Sequence, residues 1–447
     1  MKNTKLSKLW DSLHSSFWFV PTLMVTVAIG LSFLTIWFDQ TSESNIIEKF
    51  WWTYTLGPNG SRAILSAIAG SMISVATTAF SITIVALQLA SSQFGPRLLR
   101  NFMRDTGNQI VLGTFISTFI YCLLVLRTIN GTEENEFVPT ISVTCGIMLA
   151  LASIGVLIYF IHHAAASIQV DNVITKVGCD IDDTIERLFP KKVGRGASAH
   201  ALRRIEEDIP ADFDRDACPI KGASGGYIQS IDDDELMQIA LENNLVLRVQ
   251  HRPGNFVVQG SDLVLVWPGE HVNKKLGRKI NDAFILGSKR TELQDVEFCF
   301  NQLVEIAARA LSPGINDPFT AIRCIDQLSS ALSHLAQKDV PSPYRYDRDD
   351  KLRVIAEPVT FADMTNVAFN KIRQYGQSSV GVTIRLLEAI AVIAPYTHNN
   401  KYRAALLRHA HTIERGSHEG VSEELDRKDV EERYQVAVKL LQQQSTP

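Results

Sequence analysis

The sequence predicts an integral membrane protein, with an α-helical domain of four transmembrane helices followed by a cytoplasmic α+β domain. The latter combines a small β-α-β-β module with a mainly helical C-terminal region. Three observations carry this reading. Long uncharged apolar runs all lie before residue 171, the short connections between them alternate in charge, and the rest of the chain alternates strand-like and helix-like periods separated by turn residues. The expected boundaries are 1–161 for the transmembrane domain, 162–224 for a helical neck and linker, 225–270 for the α/β module and 271–447 for the helical region.

The first span is Phe17 to Phe38, free of formal charge and long enough, at about 1.5 Å per residue, to cross a hydrocarbon core of about 30 Å. Lys2, Lys5 and Lys8 precede it as in a secretory signal, but the run outlasts a signal's apolar region and ends in Trp37-Phe38-Asp39-Gln40. It is therefore expected to stay in the mature protein. Ala63 to Pro96 contains no charged side chain, and Ile64 to Ala90 alone makes a helix of about 40 Å that must tilt or protrude. Ile110 to Leu126 is the shortest span, and Phe137 to Ile161 is amply long.

The connections fix an orientation, because short cytoplasmic loops are enriched in Lys and Arg. Lys2, Lys5 and Lys8, and then Arg97, Arg100 and Arg104, mark the inside; Asp39, Glu43 and Glu48 against Lys49, and Glu133, Glu134 and Glu136, mark the outside. Both termini are expected in the cytoplasm. Trp18, Trp37, Trp51, Trp52 and Tyr54 fall near the boundaries, where amphipathic rings favour the headgroup layer.

The second span is rich in hydroxyls. Ala67, Gly70, Ser71, Ser74, Thr78 and Ser81 recur every three or four residues, with Gln88 near the end, so one helical face is small and weakly polar. Such a face either packs against other helices or lines a hydrated path. Thr114, Ser117, Thr118 and Tyr121 form a similar stripe on the third span. None of the four spans contains Asp, Glu, Lys or Arg, which favours a passive conduit over an ion-coupled transporter.

A helix is expected to continue from the fourth span through Ala164 to Leu188, with His162 and His163 as interfacial residues at the membrane exit. Pro190 to Ser224 reads as connecting structure. Tyr227 to Ile231 is strand-like, Asp232 to Asn243 helical, and Leu245 to Val249 and Phe256 to Trp267 strand-like again. Leu352 to Glu357 reads as a strand, and helical patterns cover 362–376, 379–393, 398–414 and 422–443.

The most informative segment outside the spans runs from Arg290 to Asp326 as two helices meeting at a tight corner. Ser312-Pro313-Gly314 stops the first, and Asn316 or Asp317 caps the second with Pro318 at its first position. Glu305 and Arg309 share a face at i,i+4 spacing; with Asn316, Asp317 and Arg323 they either fix the corner or form a ligand site.

Several classes are set aside. Lys plus Arg number 44 against 48 for Asp plus Glu, a net charge of −4 that offers no field for nucleic acid. The six cysteines form no C-x-x-C pair. Gly194-Arg195-Gly196 lacks the rest of a dinucleotide fingerprint, and no P-loop or nucleophile elbow is present. His409 and His411, with Glu414 and His418 nearby, fall on different helix faces and are not read as a metal site. No catalytic residue, metal or cofactor is expected.

Two long motifs then carry a resemblance: Phe80-Ser-Ile-Thr-Ile-Val-Ala-Leu-Gln88-Leu-Ala-Ser-Ser-Gln93-Phe-Gly-Pro96-Arg97, and Glu305-Ile-Ala-Ala-Arg309-Ala-Leu-Ser-Pro-Gly-Ile-Asn-Asp317-Pro318. Over nearly the whole chain the sequence resembles the bacterial predicted membrane proteins of domain-of-unknown-function family 2254 (DUF2254). The resemblance implies a bacterial inner membrane and transfers no reaction or substrate. From the residues, the expectation is a homo-oligomeric channel or conduit for ions or small solutes. Ser71, Ser74, Thr78, Ser81, Gln88, Thr114, Ser117 and Thr118 would line the path in the bilayer, and the cytoplasmic domain would regulate it, with a small molecule or ion as its candidate ligand. The alternative is a membrane-anchored sensor or scaffold without transport.

Overall fold

A computed structural model describes residues 18–41, 57–95, 105–132, 135–189 and 208–443. The chain divides into two compact units, Lys2–Asn172 and Val173–Pro447.

Among the described residues, the first unit contains four helices long and apolar enough to cross a membrane. They are α1 (Phe19–Thr41), α2 (Pro58–Phe94), α3 (Thr106–Thr128) and α4 (Thr140–Ser167). Each follows an expected span, with ends set by local chemistry. Pro58 opens α2 behind Gly57, and Gly95, at φ 106, closes it. At 37 residues, α2 is about 55 Å long, well beyond a bilayer's apolar core. Asp105 caps α3 by accepting the Gly107 N–H at 2.8 Å.

Helix α3 packs against α1, α2 and α4. Leu65, Tyr121, Cys122 and Val125 are fully buried at one level of this bundle; Met72, Ala76, Val111, Phe115 and Phe160 fill another. Gly113 permits the close approach of α1, since a Cβ there would stand 2.5 Å from Met24 Sδ and 3.2 Å from Pro21 Cα. The acidic third connection is a short antiparallel hairpin, β1 (Asn130–Thr132) with β2 (Asn135–Phe137). Phe137 therefore belongs to a strand, and the fourth span starts after Pro139.

The uninterrupted helix expected from the fourth span to Leu188 is corrected. Helix α4 ends at Ser167, Ile168 turns, and α5 begins at Val170 (Val170–Leu188). The break is held by Gln169 N–H and Asn172 Nδ2, both donating to Ala166 O at 3.2 and 2.9 Å.

In the second unit, a short helix α6 (Phe213–Asp216) leads into two sheets. The strands are β3 (Cys218–Lys221), β4 (Gly226–Ile231), β5 (Val246–Val249), β6 (Phe256–Val257), β7 (Asp262–Trp267), β8 (Phe284–Gly287), β9 (Tyr344–Tyr346) and β10 (Leu352–Ile355). One sheet runs β3-β7-β5-β10-β9, antiparallel except for β5 with β10; the other runs β6-β4-β8, all antiparallel. Helices α7 (Asp233–Glu242) and α8 (Lys274–Asp282) contribute Leu236, Ile239, Leu276 and Ile280 to a shared core with Ile228, Leu247, Leu263 and Val266.

Two sequence expectations change here. The single strand expected over Phe256 to Trp267 is two strands in different sheets. The chain turns through Gly260 at φ 85, pinned by Gly260 N–H to Gly222 O at 2.9 Å and Gly222 N–H to Ser261 O at 2.8 Å. Within the expected linker, Cys218–Lys221 is an edge strand, a position that tolerates Pro219; the Gly194-Arg195-Gly196 stretch lies outside the described residues.

The remaining helices are α9 (Val296–Ala310), α10 (Pro318–Ala336), α11 (Phe361–Gly376), α12 (Val380–Ile393), α13 (Asn400–Gly420) and α14 (Glu424–Gln443). They match the periodic segments, except that α13 runs past 414 to Gly420. Thr360 and Asp363 close a reciprocal capping box on α11.

Candidate functional site

Helix α2 presents two opposite faces. Leu65, Ala69, Met72, Ala76, Ala79 and Thr83 are buried in the bundle. Ala67, Gly70, Ser71, Ser74, Thr78, Ser81 and Gln88 are exposed on the other side, about half a turn away at 3.6 residues per turn. From Ala67 to Gln88 this exposed stripe is about 32 Å long, close to the thickness of a bilayer core. Each hydroxyl on it is partnered by its own helix: Ser71 Oγ donates to Ala67 O, Ser74 Oγ to Gly70 O, Thr78 Oγ1 to Ser74 O and Ser81 Oγ to Thr77 O, at 2.5 to 3.0 Å. The donors are spent, while oxygen lone pairs stay available to water or to a neighbouring helix.

The third span behaves differently. Thr114 Oγ1 donates to Ile110 O and Ser117 Oγ to Thr114 O, and both residues are half-buried. Thr118 is buried and lies 3.3 Å from Ser153 Oγ of α4. Tyr121 is buried between Thr35 Oγ1 of α1 and Ser142 O of α4, each at 3.0 Å. Thr118, expected on the path lining, thus sits in the bundle interior, where α4 covers that side of α3.

The bundle also holds polar groups whose partners the sequence did not show. Asp39 at the end of α1 accepts Ile141 N–H and Ser142 N–H, each at 2.9 Å, and Ser142 Oγ–H at 2.6 Å, so it caps α4 from a distant segment. Arg62 donates to Ile129 O at 2.8 Å. His163 Nε2 lies 2.9 Å from Asp105 Oδ2 and stacks on Tyr159. The N-cap pattern of Asp105 before Thr-Gly was the available signal for the last cluster. Lys2, Lys5, Lys8, Glu43, Glu48, Lys49, Trp51, Trp52, Tyr54, Pro96, Arg97, Arg100, Arg104, Glu133 and Glu134 lie outside the described residues.

In the second unit, the corner forms as its turn residues require. Asp317 caps α10 by accepting Thr320 N–H at 3.1 Å and Thr320 Oγ1–H at 2.6 Å, and its own N–H donates to Ala310 O. Asn316 takes φ 49, and Glu305 pairs with Arg309 at 3.8 Å. Arg323 and Asn316 are exposed, as are Ile315 and Phe319 beside them. The structure therefore brings Glu305 to Arg309 and Asp317 to Thr320, and gives both acids a structural use.

The histidine group separates as expected for helix faces. His409 is buried and His411 exposed, the latter 2.8 Å from the Tyr434 hydroxyl. Glu414, His418 and Glu431 bring one donor atom each within 4.8 Å of the others, and His418 already bonds Glu414 at 2.7 Å. Burial pushes the Cys299 thiol up to about 12 and the Cys324 thiol higher still, so both stay protonated and poorly nucleophilic at neutral pH.

These features define a class: a membrane protein with four apolar helices, followed by a mixed α/β region and a helical C-terminal region. The chain belongs to the family described as predicted membrane protein (DUF2254), whose model matches residues 14–392. It is 32% identical over 426 residues to uncharacterized proteins of Mycobacterium bovis and Mycobacterium tuberculosis, covering 93% of this chain and 79% of theirs. No solved structure matches it.

Proposed function

We propose that the protein is an oligomeric conduit for ions or small solutes in the bacterial cytoplasmic membrane, lined by the exposed face of α2. The observation that carries this reading is the stripe itself: small, hydroxyl-bearing, free of formal charge, as long as the bilayer core is thick, and turned away from the chain's own bundle. Several copies related by symmetry would bring such faces round a common axis, where small side chains allow close approach and hydroxyl oxygens replace part of a solute's water shell. In this reading Ser71, Ser74, Thr78, Ser81 and Gln88 line the path, with Thr114 and Ser117 at its margin. The charge pattern of the connections supports both termini, and with them the second unit, on the cytoplasmic side, where that unit regulates the path.

The test is flux through purified full-length protein in liposomes under varied voltage, pH and tension. Ser74→Leu and Thr78→Leu are expected to lower flux at least tenfold with little change in thermal stability. Absence of flux from correctly incorporated oligomers overturns the conduit. A second reading, a membrane-anchored sensor or scaffold, is favoured by the hydroxyls' bonds to their own backbone, which let the stripe pack against a helix without water. Oligomers that conduct nothing are its expected outcome.

A further inference from the structure

Helix α14 folds back along α13 through the short connection at 421–423, so residues equally far from that connection face each other. His411 meets Tyr434, with 2.8 Å between the ring Nδ1 and the hydroxyl, and Glu414 meets Glu431. His418 stands one turn along α13 from Glu414, on the same face. Its Nε2 lies 2.7 Å from Glu414 Oε1, and one donor atom each from Glu414, His418 and Glu431 falls within 4.8 Å of the other two. Both glutamates are half-buried, while His418 is exposed.

Two carboxylates are thus held together across two helices, and among the described residues neither forms an ion pair with a lysine or an arginine. Elsewhere in this unit Glu388 is matched by Arg385 and Arg433, and Glu186 by Lys338. Like charges so placed repel, and a cation between them reverses the sign. His334 also meets two carboxylates, but through opposite ring nitrogens, Nδ1 to Asp182 and Nε2 to Glu186, so its partners do not converge on one point. At His418 a single ring nitrogen and two carboxylates do converge. Ligand atoms about 2.0–2.2 Å from a tetrahedral metal stand about 3.4 Å from one another, a spacing these flexible side chains reach by small rotations, with the ion replacing the proton between His418 and Glu414. Gln435 Nε2 donates to Glu431 Oε1 and orients that carboxylate from outside.

We propose that Glu414, His418 and Glu431 bind a divalent transition-metal ion of the zinc class, which clips α14 to α13 independently of whether the membrane unit conducts. The two carboxylates balance the ion's charge, and the imidazole favours it over Mg²⁺ and Ca²⁺, whose shells are built from oxygen.

Untagged full-length protein in detergent, stripped with a chelator, is titrated calorimetrically with Zn²⁺ and by visible absorption with Co²⁺. Saturation at one ion per chain is expected, with Zn²⁺ displacing Co²⁺ and a large excess of Mg²⁺ displacing neither. His418→Ala and Glu431→Gln are each expected to weaken Zn²⁺ binding at least tenfold with an unchanged circular dichroism spectrum. His398→Ala, at an exposed histidine near the start of α13, should leave binding as it was. Absence of saturable Zn²⁺ binding, undiminished binding in either His418→Ala or Glu431→Gln, or displacement of Zn²⁺ by Mg²⁺ overturns the proposal.

Discussion

Replacing Asp39 by Asn tests how the membrane bundle is fastened. The carboxylate accepts three hydrogen bonds at the start of α4: Ile141 N–H on one oxygen, Ser142 N–H and Ser142 Oγ–H on the other. Asn keeps one acceptor oxygen and presents an amide N–H₂ where the other stood, so at least one bond to the anion is lost, together with the charge at the helix N-terminus. A hydrogen bond to a charged group contributes about 1.5–3 kcal/mol and the charge–dipole interaction about 0.3–1. Asp39 is partly exposed, which favours the lower part of the range, so Asp39→Asn is expected to destabilise the bundle by about 2–3 kcal/mol. Ser142 O also accepts from Tyr121, whose hydroxyl meets Thr35, so the loss loosens α1, α3 and α4 together. The assay is site-resolved thiol labelling of Cys122, fully buried beside Tyr121, as temperature rises in detergent. At about 2–4 °C per kcal/mol for a unit of this size, the midpoint should fall by about 4–12 °C. Unchanged Cys122 labelling in both Asp39→Asn and Asp39→Ala would refute the reasoning.

Three further outcomes are expected. Burial, then the charges of Arg408 and Arg373, hold the His409 ring down from 6.5 to about 4. Between those values the unfolded chain binds a proton that the folded chain does not. Stability therefore falls as pH drops through this window, by about 3 kcal/mol in all, and levels off below about 4; denaturant titrations at pH 7 and 5 should show the fall, and His409→Gln should flatten it. Gly113→Ala is expected to cost about 1–3 kcal/mol, read by the same Cys122 labelling, because Met24 can shift while the Pro21 backbone cannot. Glu186→Gln removes the anion 2.6 Å from Lys338, whose side chain is only 5% exposed; with Glu186 itself 45% exposed, the loss should be about 1–3 kcal/mol in thermal unfolding. An unchanged midpoint would mean that Lys338 finds another anion.

The four apolar helices were legible because crossing a bilayer is a local demand on length and charge, and Pro58, Gly95 and Pro139 only trimmed their ends. The corner at Asp317 was legible for a similar reason: turn, cap and first-turn proline all lie within a few residues. What escaped depends on distant partners. Strands β1 and β2 are too short to show a period, and no Gly or Pro stands between Ala164 and Val177 to mark the break at Ile168. Gly260 was visible as punctuation, yet the assignment of Phe256 and Asp262 to different sheets rests on their neighbours β4 and β5. Within the candidate lining, Ser74 and Thr118 sit in equivalent-looking hydroxyl stripes, and only the position of Ser153 separates an exposed residue from a buried one.

The exposed stripe poses a question that Gly70 can answer. Nothing lies within 4 Å of a Cβ built at Gly70, nor of one at Gly155 on α4, so a leucine at either position is sterically free within a single chain. Leucine is also the better helix former by about 0.5–1 kcal/mol, so neither replacement should weaken the isolated fold. If the stripe meets another copy, Gly70→Leu adds four carbons where backbones approach most closely and should separate the oligomer, lowering both its crosslinking yield and its flux. Gly155→Leu, on a face of α4 with exposed Leu151 and Ile158, should do neither. Lipid tails solvate leucine at least as well as glycine, so a stripe that simply faced lipid would leave both variants identical to the parent in assembly. That result would remove the structural basis for placing α2 around a shared axis, because hydroxyls bonded to their own backbone are tolerated against lipid without any path for water.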